Sequence, residues 1–209
     1  VTPFARMKER QFAEYINQKN TLELRREIAS YLARRFGLHY HFADQILVTV
    51  GGSEGIDLAI RCLVNPGDEV IVPVPSFVCY GPLVEMAGGT PVYLEMKAEN
   101  EFRLTADELR SAITDKTKAL VLPFPSNPTG GIMERQDLEA LAQVLRDTEI
   151  MVVSDEIYAE LTYGQRHVSM ANLEEMYDRT IVVNGFSKSY AMTGWRMGYL
   201  CGPAPLIQQ

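Results

Sequence analysis

The chain has 209 residues, of which 46% are hydrophobic and 22% are charged, and its formal net charge is −7. This length suits one sizeable α/β domain with a hydrophobic core. The acidic balance argues against a nucleic-acid partner, and no apolar run approaches the roughly 20 residues of a membrane span. We therefore expect a cytoplasmic protein that acts on small molecules.

Three cysteines lie far apart in the sequence, at Cys62, Cys79 and Cys201. They form no CxxC pair, and no histidine stands at a metal-ligand spacing from them. Their spacing favours buried thiols in a reducing compartment over a disulfide or a metal site. We therefore expect no metal.

Short β-branched runs alternate with helical patterns along the chain. The first helical pattern covers residues 22–36, and Gly37 ends it. Strands are predicted at 46–50, 69–74, 91–94, 118–124, 150–155 and 180–184. Helical patterns separate them at 53–65, 76–89, 105–113 and 134–148. The alternation predicts an α/β fold of three layers, with a mostly parallel central sheet and helices on both faces.

Ligands of such sheets bind outside the carboxyl ends of the strands, so the residues after each strand matter most. The first strand is followed by "GGSEG" (51–55), which leads into a helix. Ser53 is expected to cap that helix, and the free N–H groups at its start suit a phosphate. The segment lacks the spacing of a GxGxxG fingerprint, and a structural turn is the alternative reading.

Two further strands end at an aromatic residue and at an amide. "PSF" places Phe77 after the second strand, although a core phenylalanine would give the same pattern. "PSNPTGG" (125–131) follows the fourth strand, and its prolines and glycines make a rigid turn that could fix the Asn127 amide.

The last two strand ends carry charge. In "SDEIY" (154–158) Asp155 ends an apolar strand, where a carboxylate is costly unless a cation or a strong donor meets it, and Tyr158 follows three residues later. A helix cap is the alternative role for Asp155. "GFSK" then presents Lys188, and Arg196 follows eight residues on.

These motifs, in this order, resemble the class I/II aminotransferase family, which consists of fold-type I enzymes dependent on pyridoxal 5′-phosphate. "GFSKSYAMTGWRMG" (185–198) is similar to the lysine signature of that family throughout. "PSNPTG" (125–130) and "SDEIY" (154–158) stand at the expected separations, and the resemblance covers about residues 22–199.

The resemblance implies a role for each residue at the strand ends. Lys188 would form a Schiff base with the cofactor and later carry a proton from the substrate Cα. Asp155 would pair with the protonated pyridine nitrogen. Asn127 and Tyr158 would bond to the phenolate oxygen of the ring, and Phe77 would stack on its face.

The resemblance also implies a phosphate site and a dimer. The catalytic residues would be Lys188, Asp155 and Tyr158. The remaining cofactor-binding residues, chiefly around the phosphate, would be Gly52, Ser53, Glu54, Ser187 and Arg196, with Tyr15 reaching the phosphate of the neighbouring subunit of a homodimer.

The implied reaction moves an amino group from an L-amino acid to a 2-oxo acid. A carbon–sulfur β-lyase or a related lyase with the same cofactor stays open, as does a non-catalytic aminotransferase-like sensor domain. Residues 1–209 would form an incomplete large cofactor-binding domain, with the N-terminal arm and the small C-terminal domain outside them. The family resemblance also predicts cis peptide bonds at Val74–Pro75 and Asn127–Pro128.

Overall fold

The computed structural model describes residues 21–209, so the predicted role of Tyr15 lies outside the described residues. Seven strands form one sheet: β1 (Ile46–Thr49), β2 (Glu69–Val74), β3 (Thr90–Glu95), β4 (Thr117–Leu122), β5 (Met151–Asp155), β6 (Thr180–Gly185) and β7 (Gly198–Cys201). The α-helices are α1 (Thr21–Phe36), α2 (Gly52–Leu63), α3 (Tyr80–Met86), α4 (Ala106–Ala112), α5 (Arg135–Leu145) and α6 (Ala204–Ile207).

The sheet is mostly parallel, as predicted. Its strand order is β1-β7-β6-β5-β4-β2-β3, and the five strands from β6 to β3 run parallel. Only β7, which pairs with both β6 and β1, makes the antiparallel contacts. The sequence did not predict β7, because it is four residues long and lies within the lysine motif and its immediate extension, where no β-branched run marks it.

Helices cover both faces of the sheet, which confirms the three-layer prediction. Alternate residues of β4 show the division, since successive side chains of a strand point to opposite faces. Ala119 and Val121 pack on the side of α2 and α3. Leu120 and Leu122 pack on the side of α4 and α5. A third cluster joins α1 to the β1, β6 and β7 edge of the sheet.

The start of α2 differs from the prediction. Gly51, with φ +82°, occupies the cap position, and no side chain caps this helix. Ser53 therefore lies inside the first turn, and the expected Ser53 cap is wrong. Because glycine adopts a positive φ without steric cost, the chain can turn two residues earlier than a cap at Ser53 would require.

Helix α3 is shorter than its sequence pattern: it begins at Tyr80, and the residues before it form a turn after β2. The peptide bonds Val74–Pro75 and Asn127–Pro128 are cis, as predicted, and Phe124–Pro125 is cis as well. Within residues 21–209, no helix has the length and apolar character to cross a membrane.

Candidate active site

A cleft of about 240 Å³ opens at the carboxyl edge of the parallel strands. The segments that follow β1, β2, β4, β5 and β6 converge there. The predicted residues that line the cleft are Gly52, Ser53, Phe77, Asn127, Asp155, Tyr158, Ser187, Lys188 and Arg196. The residues of the cleft that the sequence did not single out are Ile56, Tyr80, Pro123, Pro125, Ile157 and Thr193.

Asp155 is the buried charge of the cleft, with 7% of its surface exposed. The Tyr80 hydroxyl donates to its Oδ2 at 2.8 Å, and the Ile157 N–H donates to its Oδ1 at 3.1 Å. Burial raises the pKa of Asp155, and these two hydrogen bonds oppose that rise. Within residues 21–209 no cationic side chain forms an ion pair with Asp155. A cationic ligand in the cleft would therefore stabilise its ionised form.

Of the cleft residues that the sequence did not single out, Tyr80 is the one that contacts Asp155 through its side chain. It is the first residue of α3 and is 2% exposed, and its ring meets Phe77 edge-on with 6.1 Å between centroids. Burial, followed by the charge of Asp155, raises the pKa of Tyr80, so its hydroxyl stays a neutral donor. The helical pattern predicted over 76–89 was a usable signal, because it places Tyr80 three residues after Phe77 and so on the same side.

Lys188 also lines the cleft. Its Nζ is 5.6 Å from the centroid of the Tyr158 ring, within the range of a cation–π contact. The lysine is exposed, whereas Ser187 beside it is buried. Backbone hydrogen bonds hold the loop that carries Lys188. In one of them the Ala191 N–H donates to the Lys188 carbonyl at 3.2 Å. The amine is thus free to react from a defined backbone.

Arg196 and the start of α2 form one end of the cleft. A Cβ added to Gly51 would lie 2.5 Å from Nη2 of Arg196, so only glycine lets the guanidinium approach this closely. Nη1 donates to the Thr193 carbonyl at 3.1 Å, which directs the side chain. A guanidinium beside the free N–H groups of a 12-residue helix is suited to a phosphate dianion.

Glu54 does not line the cleft. Its carboxylate accepts a hydrogen bond from the Val50 N–H, which ties the first turn of α2 back to the end of β1. Of Glu54, only the backbone amide is therefore left to contribute to the predicted phosphate site.

The residues of the cleft are chemically suited to the two ends of pyridoxal phosphate, its phosphate group and its pyridine ring. Arg196 and the α2 N-terminus would hold the phosphate, while Asp155, buried and without a cation, would meet the basic ring nitrogen. Phe77 would cover a ring face. Lys188 is the primary amine that can react with an aldehyde.

A mostly parallel sheet whose carboxyl edge carries this combination defines a fold-type I pyridoxal-phosphate protein. The chain belongs to the family described as aminotransferase class I and II, whose sequence model matches residues 5–209. Members of this family depend on pyridoxal phosphate.

Named relatives agree with this assignment. The chain is 42% identical over 188 residues to an aspartate aminotransferase of Pyrococcus abyssi, covering 90% of this chain and 48% of that protein. It is 41% identical over 189 residues to aromatic-amino-acid aminotransferase 2 of Thermococcus litoralis, covering 90% and 49%. The crystal structure of an aromatic aminotransferase from Pyrococcus horikoshii superposes with a TM-score of 0.87 at 42% identity, covering 90% and 50%. The chain thus spans about half the length of these relatives.

Proposed function

We propose that this protein is a pyridoxal-phosphate-dependent aminotransferase that moves an amino group from an L-amino acid to a 2-oxo acid. The observation that carries the proposal is the placement of Lys188 and Asp155 in one cleft that ends at Arg196 and the start of α2. An amine, a buried carboxylate and an anion site are the three groups that pyridoxal phosphate needs. The relatives are named aminotransferases, which supports this reaction over the lyase and the sensor.

Each residue has a defined task in the proposed reaction. Pyridoxal phosphate supplies a ring that accepts the electron pair released when the substrate Cα–H bond breaks. Asp155 would keep the proton on the ring nitrogen, and Lys188 Nζ would take the proton from the substrate Cα. Arg196 and the α2 amides would hold the phosphate. Tyr158 lies beside Lys188 and, with the Asn127 amide that also lines the cleft, would orient the ring oxygen.

The amino acid itself is left open in this proposal. An aspartate aminotransferase and an aromatic-amino-acid aminotransferase match the chain at 42% and 41% identity over almost equal lengths. Relatives of different named substrates are thus equally similar, so the proposal stops at an L-amino acid and a 2-oxo acid.

The remaining proposals concern the whole protein. We propose that residues 1–209 belong to the large cofactor-binding domain and that the protein works as a cytoplasmic homodimer. Tyr15 would then contact the phosphate in the neighbouring subunit. Sedimentation of the wild type would test the dimer. Weaker binding of pyridoxal phosphate by Tyr15→Phe, through a weaker contact with its phosphate group, would support the shared site.

The experiment that tests the function is an absorbance titration of the full-length protein with pyridoxal phosphate. Wild type should develop a band that Lys188→Ala lacks, and an amino-acid donor should bleach that band. Lys116→Ala is the matched control, because Lys116 is an exposed lysine just before β4, at the opposite edge of the sheet. No band in the wild type would overturn the proposal.

The products then separate the two reactions. A 2-oxo acid together with a new amino acid would support the aminotransferase. Pyruvate together with ammonia would show a lyase instead.

A further inference from the structure

Glu156 is a buried carboxylate that the proposed reaction does not use. It follows Asp155 directly, yet only 1% of its surface is exposed. Since successive side chains of an extended strand point to opposite faces, the two carboxylates lie on opposite sides of the sheet. Asp155 shares its face with Val153, which packs in the α2 and α3 cluster, and Glu156 shares the other face with Ser154.

Three side chains hold the Glu156 carboxylate. The hydroxyls of Ser154 and Ser169 both donate to Oε1, at 2.9 Å and 2.6 Å. Nε2 of His167 lies 2.8 Å from Oε2, an ion-pair distance without the angle of a hydrogen bond. Ser169 and His167 come from the segment between β5 and β6, so the carboxylate joins the strand end to a distant part of the chain.

The backbone of Glu156 is fixed as well. Its N–H donates to the Val183 carbonyl at 2.8 Å, which continues the β5–β6 ladder one residue beyond Asp155. Asp155 is therefore flanked by a paired strand residue and by a residue held through both its side chain and its backbone. A rotation of Asp155 about the strand axis would have to break the contacts of Glu156 on the reverse face.

We propose that Glu156 is a positioning residue, which from the reverse face of the sheet holds the Asp155 carboxylate where the cofactor ring nitrogen binds. The inference rests on the proposed function, since it presupposes pyridoxal phosphate in the cleft. A role in packing alone would not need a carboxylate, because an apolar side chain of similar volume could fill this place without the cost of burying a charge.

The test compares two cofactors that differ at one atom. One is pyridoxal phosphate, and the other is its carbocyclic analogue, in which C–H replaces the ring nitrogen. The affinity of the full-length apo-protein for each is measured by fluorescence titration in wild type, Glu156→Ala and Glu156→Gln. The analogue cannot bond to Asp155, so a displaced Asp155 affects pyridoxal phosphate alone.

In Glu156→Ala we expect the affinity for pyridoxal phosphate to fall about tenfold, the size of one charge-assisted hydrogen bond, and that for the analogue to stay within about twofold. Glu156→Gln keeps an oxygen acceptor for both serines and should restore most of the affinity. Glu160→Ala is the control: it removes a nearby carboxylate that Tyr31 and Arg35 hold. It should change both affinities equally or leave both unchanged.

Equal losses for the two cofactors in Glu156→Ala would overturn the proposal, and so would an unchanged affinity for both. If that variant does not fold, the double variant Ser154→Ala/Ser169→Ala, which removes both donors, is judged by the same two affinities. The titration also separates the two proposals: a wild type without a Lys188-dependent band contradicts the proposed function, whereas parallel losses contradict only the role of Glu156.

Discussion

The two ends of the cleft hold their charges in different ways. Asp155 is buried at the end of β5, and its partners are the Tyr80 hydroxyl and one backbone N–H. Arg196 is exposed, has a left-handed backbone with φ +50°, and lies against Gly51. The first group is placed by the sheet, and the second by a turn.

This difference predicts what each end contributes. At the buried end, folding has already removed water from the Asp155 carboxylate. A cationic ligand that binds there offsets the free-energy cost of that desolvation. At the exposed end water already solvates the guanidinium, so affinity must come from the close approach of several donors to one phosphate. Changes at the buried end should therefore alter folding and chemistry together, and changes at the exposed end should alter binding alone.

The largest effect is expected for Asp155→Asn. Activity should fall at least about 100-fold, because an uncharged amide does not keep the proton on the ring nitrogen. The apo-protein should nevertheless become more stable at neutral pH, by about 1 kcal/mol, because the buried charge is gone. Urea unfolding of the cofactor-free proteins, beside steady-state rates of the loaded ones, measures both effects.

The pH dependence supplies the control for this variant. The folded protein binds the Asp155 proton more tightly than the unfolded chain, because burial raises the pKa of Asp155. The free energy of unfolding of the wild type should therefore fall as pH rises from the usual carboxyl range through that raised pKa. Asp155→Asn should lack this component. A variant less stable than wild type at every pH would contradict the account.

At the exposed end, Arg196→Gln should weaken binding of pyridoxal phosphate by about 10- to 100-fold through loss of charge-assisted hydrogen bonds. Binding of pyridoxal, which has no phosphate, should not change, and neither should the free energy of unfolding. Equilibrium titration with the two compounds measures the contrast. A similar loss for pyridoxal would place Arg196 elsewhere than at the phosphate.

Gly51→Ala should imitate Arg196→Gln, since a Cβ at this position would displace the guanidinium. Gly164→Ala is its matched control: Gly164 also has a positive φ, +88°, but a Cβ there would meet no atom within 4 Å. Both variants place a β-carbon on a residue with positive φ. Only the first should therefore lose affinity for the phosphate.

The sequence predicted the features that hydrophobic patterning determines and missed those that a turn or a short strand determines. Continuous apolar runs marked six strands, and the residues after them gave most of the cleft, because a parallel sheet brings its strand ends to one edge. β7 has no such run, so its antiparallel insertion between β1 and β6 was not predictable from periodicity. The Ser53 cap was wrong because a backbone conformation, the positive φ of Gly51, decided where α2 begins.

Contacts between segments far apart in the sequence were the other feature that the sequence did not predict. Glu156 looked like part of a motif, and only the pairing with Ser169 and His167 shows that it is buried on the far face. Strand alternation could have indicated its side, since it follows Asp155 by one residue. The cofactor roles carried over from the family, including that of Asn127, stay predictions until the titrations are done.

The smallest effect is expected for Tyr80→Phe, which tests whether the buried end works through hydrogen bonds or through burial alone. The hydroxyl lowers the pKa of Asp155, whereas burial raises it. Without the hydroxyl the carboxylate has one donor fewer, and its pKa should rise further. The ring keeps its edge-on contact with Phe77, so no cavity forms.

The affinity of Tyr80→Phe for pyridoxal phosphate should fall about threefold, in line with the loss of one buried hydrogen bond worth roughly 0.5–1.5 kcal/mol. The drop should grow as pH is lowered, because the protonated carboxyl of the variant appears at a higher pH than in the wild type. A titration series across the acidic range measures it. A loss independent of pH would mean that the hydroxyl supports the packing of α3 and not the ionised state of Asp155. The buried end would then depend on the sheet alone.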